Sequence, residues 1–494
     1  MPLDHFDFST TEPALDALAD AARADIAALA YPDKAWVQPA TAPDGETAAD
    51  VLVVGAGQSG LVIAAALRRE GIRNVVVLDQ SPKGVEGPWV SFARMPELRT
   101  PKITVGMEFG IPNLGVRRWF ETRYGAGAWD GLARLPRTDW MDYLNWYRAV
   151  WDIKVENDTV VTDIADAGGL VAVESRAGGV TRLRYAKLVV LATGSDGAGA
   201  WRVPRFITDA LPADRYDHSN HAIDFERLRG KAIGILGHGA SAFDTAVAAL
   251  EAGVASVDLC FRRARLPRAN PHRYIENAGI MSHHPLLDDT VRWRIARHFR
   301  QHDQPPAWAS FERAVVLPGF RMHAGSPWLD IGMDGDKIRV TTPGQVFQFD
   351  HVIPATGQAI DLPSRPELKS LHGIIARWQD CFAPPPGEED DGLASLPYLG
   401  DAYQLQPREP GGPAWVSRVH AFNSLSMVSN GPHSTSISGH RHALPRLIRG
   451  LTLRLLLDQQ QAIIPGLAAY ADADLVLPDD FEAVLALNGG RVAR

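Results

Sequence analysis

Cysteine is nearly missing from this chain of 494 residues: there are two, Cys260 and Cys381, and they form no Cys-x-x-Cys pair. Two thiols cannot by themselves ligate a zinc ion or an iron–sulfur cluster, and a disulfide exchanger needs a neighbouring dithiol that is not here. Cys260 sits in an apolar run and reads as a buried, inert thiol. Long hydrophobic runs are also lacking. No stretch approaches the roughly 20 apolar residues that cross a bilayer. The acidic N-terminus has no basic segment leading into an apolar one, so no secretory signal is read. Together these absences make the cytoplasm the expected location. Positive charge is not in excess: the net charge is -8, which argues against a nucleic-acid partner. Metal-ligand spacing is missing as well. His283 and His284 are adjacent, and neighbours in sequence rarely face one ion, so no metal is expected. No Ser/His/Asp or Cys/His set for nucleophilic catalysis stands out.

What is present is an ordinary globular composition, 46% hydrophobic and 22% charged, in a chain too long for one core. Residues 1–48 read as an N-terminal helical extension, apolar at helical spacing from Leu15 to Leu29 and broken by the prolines from Pro32 to Pro43. From Asp50 the pattern changes. Val51 to Val54 is a short apolar run, as expected of a parallel strand buried on both faces. A glycine turn, a helix from Leu61 and a second strand, Val75 to Leu78, complete a βαβ unit. The order recurs at Ala232 to Leu236, a turn from Gly237, a helix from Phe243 and a strand from Val257 to Phe261. A third recurrence pairs Ala192-Thr193-Gly194 with Ala355-Thr356-Gly357, each closing an apolar run. The reading is an α/β protein with two Rossmann-like dinucleotide-binding domains, the second inserted into the first. The first domain is expected at 49–200, the second at 201–345, and the completion of the first, with C-terminal helices, at 346–494. Residues 264–330, rich in His, Arg, Trp and Pro, are read as a helical insertion covering a substrate cleft.

The first turn is Gly55-Ala56-Gly57-Gln58-Ser59-Gly60. Its first glycine permits the tight turn, the second leaves room for a pyrophosphate, and the third lets helix and strand approach. The helix start then presents unpaired N–H groups and a positive dipole end to phosphate. Asp79 follows Gly60 by nineteen residues at the end of the second strand, with Gln80 beside it, placed to accept hydrogen bonds from a ribose diol. The second turn is Gly237-His238-Gly239-Ala240-Ser241-Ala242, with alanine at the third glycine position. Its second strand ends without an acid and continues into Arg262 and Arg263. A guanidinium binds a 2′-phosphate that a carboxylate would repel, so this site is expected to take NADPH and the first a dinucleotide with a free diol. Which of the two arginines contacts phosphate stays open.

Together these residues resemble the class B flavoprotein monooxygenases, the group of flavin-containing monooxygenases, Baeyer–Villiger monooxygenases and lysine/ornithine N-hydroxylases. The resemblance runs from about residue 50 to about residue 445 and implies FAD in the first cradle and NADPH in the second. Gly87-Pro88-Trp89 stands where the family has a Gly-x-Trp segment near FAD, and Met95 to Lys102 is similar to its segment running past the flavin. Arg99 and Thr100 are thereby implied in cofactor binding, with Arg99, Lys102 and Asn423 as flavin-side candidates. Val161 matches the position whose backbone pairs with adenine, and Ser429 to Ser436 matches a helix start facing the flavin pyrimidine, implicating Asn430, Gly431 and Ser434. Tyr216-Asp217-His218-Ser219 is similar to the family's linker. The Baeyer–Villiger signature is not reproduced around His218, so the substrate stays open. The implied reaction passes through a C4a-peroxyflavin that oxygenates a nitrogen, sulfur or carbonyl carbon, with a small organic molecule and O2 as partners. An NADPH oxidase without oxygen insertion and a non-catalytic nucleotide-binding regulator remain as alternatives, and self-association is left open.

Overall fold

The computed structural model describes residues 11–103, 106–302 and 304–475. The chain divides into a main unit, Met1–Thr452, and a C-terminal unit, Leu453–Arg494, which holds a short helix at Ile463–Ala469. In the main unit the strands are β1 (Ala49–Val54), β2 (Val75–Leu78), β3 (Thr159–Asp166), β4 (Val171–Ala177), β5 (Val180–Leu191), β6 (Gly199–Trp201), β7 (Ala232–Leu236) and β8 (Ser256–Cys260). They continue as β9 (Phe320–His323), β10 (Asp330–Asp334), β11 (Lys337–Thr341), β12 (Val346–Phe349), β13 (His351–Pro354), β14 (Gln358–Ile360) and β15 (Val419–Ala421). The longer helices are α1 (Thr11–Ala28), α2 (Gln58–Arg69), α3 (Val116–Tyr124), α4 (Arg137–Val150), α5 (Ala240–Glu251), α6 (Asp289–Gln301), α7 (Trp308–Val316) and α8 (Ile437–Asp458).

The first sheet runs β2-β1-β5-β4-β3, with β15 added beside β5. β1 pairs in parallel with β2 and β5, as a buried α/β strand does, and every residue of β1 is buried. β5 changes character along its length. Its first half pairs antiparallel with β4 and is largely exposed; its second half pairs in parallel with β1 and β15 and is fully buried. The second sheet is entirely parallel, β13-β7-β8-β9. A meander, β10-β11-β12, packs beside it: Ile338, Val340 and Phe349 share a core with Val352 of β13. The chain leaves the first sheet along β6 and returns along β14, and these two strands pair antiparallel.

One expectation needs correction. A boundary at 345/346 would cut the β11–β12 hairpin and strip β13 from its sheet; Ile353 pairs with Ile235 of β7, so the second sheet's chain runs to Pro354. The apolar run at 351–354 marks a buried strand, but a run alone does not say which sheet receives it. The 264–330 segment is largely helical and supplies core to both sheets. Trp293 and Ala296 of α6 are buried in the core under the first sheet, where the Trp293 ring lies 6.1 Å from that of Trp378. Ala314 of α7 joins the core under the second sheet, and β9 is one of its strands. Near the start of this segment His272 Nδ1 meets His433 Nε2 at 3.0 Å. At the N-terminal end, α1 packs on α3 and α4 through Leu18, Ala22 and Ile26, and Trp146 Nε1 donates to the Leu15 carbonyl.

Burial is polar at one point of the first sheet. Lys187 of β5 reaches Asp50 at the start of β1 (Nζ–Oδ1 2.6 Å), and both are nearly inaccessible. Deleting one partner strands a buried charge, a loss of about 3–5 kcal/mol. Lys187→Ala is therefore expected to cost about 3 kcal/mol in urea unfolding, and Lys187→Met with Asp50→Leu distinctly less. Burial also holds His272 and His433 down to about 4; the two rings disfavour a second charge between them, and Arg273 lowers His433 further. Their neutral rings stabilise the fold fully above the ordinary histidine value near 6.5, and that contribution is lost as pH falls from there toward 4. A His433→Gln variant should show a smaller decline in Tm between pH 7 and pH 5 than the parent.

Candidate active site

Both glycine turns are built the same way. Gly55 N–H donates to the Leu78 carbonyl at 2.7 Å and Gly237 N–H to that of Cys260 at 2.9 Å, so each turn sits on the end of its second strand. Both glycines have positive φ, +102° and +137°. A Cβ on Gly55 would stand 2.6 Å from the Ala192 carbonyl oxygen, and one on Gly237 would stand 2.5 Å from that of Ala355. The two Ala-Thr-Gly segments are therefore the backing against which the turns close. A Cβ on Gly60 would lie 1.8 Å from the Gly55 oxygen, so the third glycine sets how close α2 comes to its turn. Ala242 fills that position in the second turn and is fully buried. The middle glycines differ in kind. A Cβ on Gly57 would meet nothing nearer than 3.8 Å, and one on Gly239 nothing within 4 Å. What they leave open is space, at the N-termini of α2 and α5, neither of which carries a side-chain cap. Uncapped N–H groups facing open space are what a pyrophosphate requires.

A cavity of about 570 Å³ runs from the first turn. Its lining includes Gly55, Gly57, Gln58, Ser59, Asp79, Gln80, Trp89, Val161, Ala192, Thr193 and Gly194. Asp79 is buried at the end of β2, and its two oxygens accept the backbone N–H groups of Ala56 (2.6 Å) and Ser81 (2.7 Å). Burial raises its pKa and these two bonds oppose the rise. Each oxygen keeps a lone pair for a sugar hydroxyl. At the other wall Trp89 is set edge-on to Trp140, 6.3 Å between rings, and its buried Nε1 has no partner among the described residues. An indole N–H left unsatisfied beside a cavity fits a ligand acceptor at that point. Arg365 and Glu367, paired at 2.6 Å, close the cavity near Val161; they lie in a segment without a motif and were not legible in the sequence.

A second cavity of about 360 Å³ shares Gln58, Pro88, Trp89, Phe92 and Ser195 with the first. It lies between the two sheets' domains: Arg99 and Thr100 come from one side, Ser241, Asp244 and Thr245 of α5 from the other. Arg99 Nη2 meets the buried Asp244 at 3.3 Å, and Asp244 also accepts Ser310 Oγ at 2.5 Å. Arg94 donates to the Ser219 and His221 carbonyls of the linker, tying the floor of the cleft to the crossing segment. Its burial lowers its pKa, with Asp217 and Asp244 opposing the drop. His218 is fully buried in that linker and depressed to about 4 by burial; its Nδ1 accepts the Asn220 N–H at 3.1 Å. Asp244, Arg94 and Trp201 carry no motif and were missed.

Several expected residues lie elsewhere. Lys102 donates to the carbonyls of Trp129 (2.6 Å) and Asp130 (3.1 Å) and lines neither cavity. Asn423 is buried, caps a short turn through Leu425 N–H and donates to Thr193 Oγ1 at 2.9 Å, so it braces the Ala-Thr-Gly backing from behind. Asn430 donates to the Gly400 and Asp401 carbonyls of a neighbouring loop, and Ser434 to those of Asn430 and Gly431 within its own. The residues of this segment that reach the cavities are Thr435, Ser436 and Ile437, one turn later, at the start of α8. The capping pattern marked the helix start correctly but not which residues face the cavity. In the second cradle Ser241 lines the cleft, while Ala240 is the first residue of α5 and Thr356 and Gly357 are exposed. Arg262 is exposed just past β8, and Arg263 donates to the Gln301 carbonyl at 2.7 Å. The acid of this strand, Asp258, lies inside it, engaged by Arg321 and His323. Cys260 is buried, its thiol pushed up to about 11 by burial, and neither cysteine lines a cavity.

Two uncapped glycine cradles, one with a terminal acid and one with terminal arginines, define an oxidoreductase of the class that uses two dinucleotides, FAD and NADPH. Residues 52–276 match the family described as pyridine nucleotide-disulphide oxidoreductase. The chain is 43% identical over 460 residues to the FAD-dependent urate hydroxylase of Xanthomonas campestris pv. campestris, covering 92% of this chain and 95% of the relative. Among solved structures, the ornithine hydroxylase of Pseudomonas aeruginosa superposes with a TM-score of 0.66 at 18% identity, over 83% of this chain and 100% of that one. The Kutzneria sp. 744 ornithine N-hydroxylase, with reduced FAD, NADP+ and L-ornithine, gives 0.64 at 16% identity, over 82% and 99%. The chain belongs to the family of the FAD-dependent urate hydroxylase, and its fold is that of the ornithine hydroxylases.

Asp79→Ala removes the acceptor at the end of β2, and a charged hydrogen bond of this kind is worth about tenfold or more in affinity. Titration of apoprotein with FAD, read by flavin fluorescence, is expected to give a Kd raised at least tenfold, with Asp79→Asn intermediate. An unchanged Kd would count against the ribose contact.

Proposed function

We propose that the chain is an NADPH-consuming monooxygenase whose substrate is urate or a closely related planar, nitrogen-rich heterocycle. The observation that carries this is the 43% identity to a urate hydroxylase along nearly the whole of both chains. The cleft supports it. A flat heterocycle needs aromatic walls and a polar rim, and this cavity has Trp89, Phe92 and Trp201 with Arg99, Thr100, Asn220 and Thr245. Urate is an anion near neutral pH, and the half-exposed Arg99 guanidinium gives it a counter-charge at the cleft.

In this reading FAD would be held by the start of α2, Asp79 and Trp89, and NADPH by the start of α5, with Arg262 or Arg263 at its 2′-phosphate. Bound flavin supplies the acceptor for hydride and the centre at which oxygen is activated. The residues of the chain orient and exclude. α5 and the strip from Arg94 to Thr100 line the same cleft and would orient nicotinamide and substrate there. The start of α8 also borders that cleft, and its positive end would stabilise negative charge on a reduced ring bound there. The reaction balances with two electrons from NADPH, one oxygen atom entering the substrate and the other leaving as water with two protons.

The test is coupling. With urate present, NADPH and O2 are expected to be consumed one to one, and 18O from labelled O2 should enter the product. Peroxide formed in equal amount to NADPH consumed, with or without urate, would sink oxygen insertion. Arg262→Ala and Arg263→Ala should raise the KM for NADPH about tenfold or more and leave that for NADH nearly unchanged. Equal losses for both cofactors would refute the 2′-phosphate role.

A further inference from the structure

One buried polar contact joins the first cradle to the start of α8. Ser59, the second residue of α2, places Oγ 2.9 Å from His440 Nε2, and both residues are buried. A second tie runs alongside, from Gln58 Nε2 to the Thr435 carbonyl at 2.9 Å. His440 is fully buried, with its ring parallel to that of Phe422 (18°, 6.0 Å between centres). Burial depresses it to about 3, so the ring is neutral at any physiological pH and carries one N–H.

The position of that proton follows from what the ring meets. Nδ1 has no partner among the described residues. A proton there would leave a buried donor unsatisfied, which costs more than leaving an acceptor lone pair idle. The proton therefore belongs on Nε2, and the contact runs from His440 N–H to Ser59 oxygen. A serine in the first turn of a helix otherwise turns its hydroxyl toward nearby backbone. Here the oxygen already accepts from the imidazole, and its own proton is left to point elsewhere. Ser59 lines the 570 Å³ cavity at the uncapped start of α2.

We infer that His440 is a positioning residue for the cofactor pyrophosphate: it donates to Ser59 and so turns the Ser59 hydroxyl proton toward a phosphate oxygen. The inference rests on the reading of the first cradle as the FAD site. It adds one neutral donor to the backbone N–H groups of α2 and makes that donor depend on a residue nearly 400 positions away in sequence.

FAD titrations of apoprotein test it without turnover. Ser59→Ala and His440→Leu are each expected to raise Kd on the order of tenfold, the size of one hydrogen bond to a charged group. The double variant should be no worse than the worse single, because the two act as one unit. His440→Gln, whose amide can donate from a similar reach, should recover most of the loss, and in the Ser59→Ala background it should change nothing. Additive losses, or parental affinity in His440→Leu with its fold intact by circular dichroism, would overturn the inference. If His440→Leu misfolds, Ser59→Ala and His440→Gln with their double variant decide it: a loss in His440→Gln that persists without the Ser59 hydroxyl overturns it. If the unsubstituted apoprotein binds no FAD, the cofactor reading falls, and this inference with it.

Discussion

The close approach of Gly55 to the Ala192 carbonyl, and of Gly237 to that of Ala355, is the constraint on which the rest of the molecule depends. Each contact brings three segments that are distant in sequence onto one point: the end of a first strand, the end of a second, and the small-residue segment that closes a third. A side chain at either glycine would push the backing away and open the turn. With the turn closed, the helix that follows starts at a fixed place with its N–H groups bare, and the cavity forms in front of it. The chain does this twice. The two cradles share their backing geometry and differ mainly at the strand end, where one has Asp79 and the other continues into Arg262 and Arg263.

The proposed division of labour rests on that difference in charge. A carboxylate held by two backbone N–H groups suits a diol, and a guanidinium such as that of the exposed Arg262 suits a phosphate dianion. Between the cradles the cleft is lined from both domains, and Arg99 with Asp244 is the charge pair that spans it. Asp244 is buried and Arg99 half exposed, so the pair offers the cleft its cation and keeps its anion behind. Such an asymmetric pair favours an anionic guest.

The cradles were legible in the sequence because their glycines obey local rules: φ, space and spacing are properties of a few consecutive residues. Asp79 was legible for the same reason. What escaped were residues whose role is set by long-range packing. Asn423 carries the right amide near the right segment, but its bonds to Thr193 and Leu425 turn it away from the cavities, and only the fold reveals that. Lys102 is bound by carbonyls nearly thirty residues on. The loop around Asn430 announced a helix start, yet the tight inner bonding of Ser434 moved the cavity-facing residues to Thr435, Ser436 and Ile437. The composition of 264–330 did not show that Trp293 anchors its helix under the first sheet, a destination that amphipathicity cannot name. The sheet membership of β13 was hidden for a related reason, since any buried parallel strand has the same apolar run.

The paired strands β6 and β14 give the molecule a modular topology. Gly199 lies opposite Ile360 and Trp201 opposite Gln358, so the outgoing and returning chain are held one strand spacing apart. Seen from the first domain, everything between Trp201 and Gln358 is a single excursion from one edge, closed at its neck. An excursion with a closed neck can change the length and surface of its meander without moving the register of the sheet it leaves, whereas its helix α6 is held under that sheet by Trp293. The first cradle and the second are thus free to diverge at different rates within one chain.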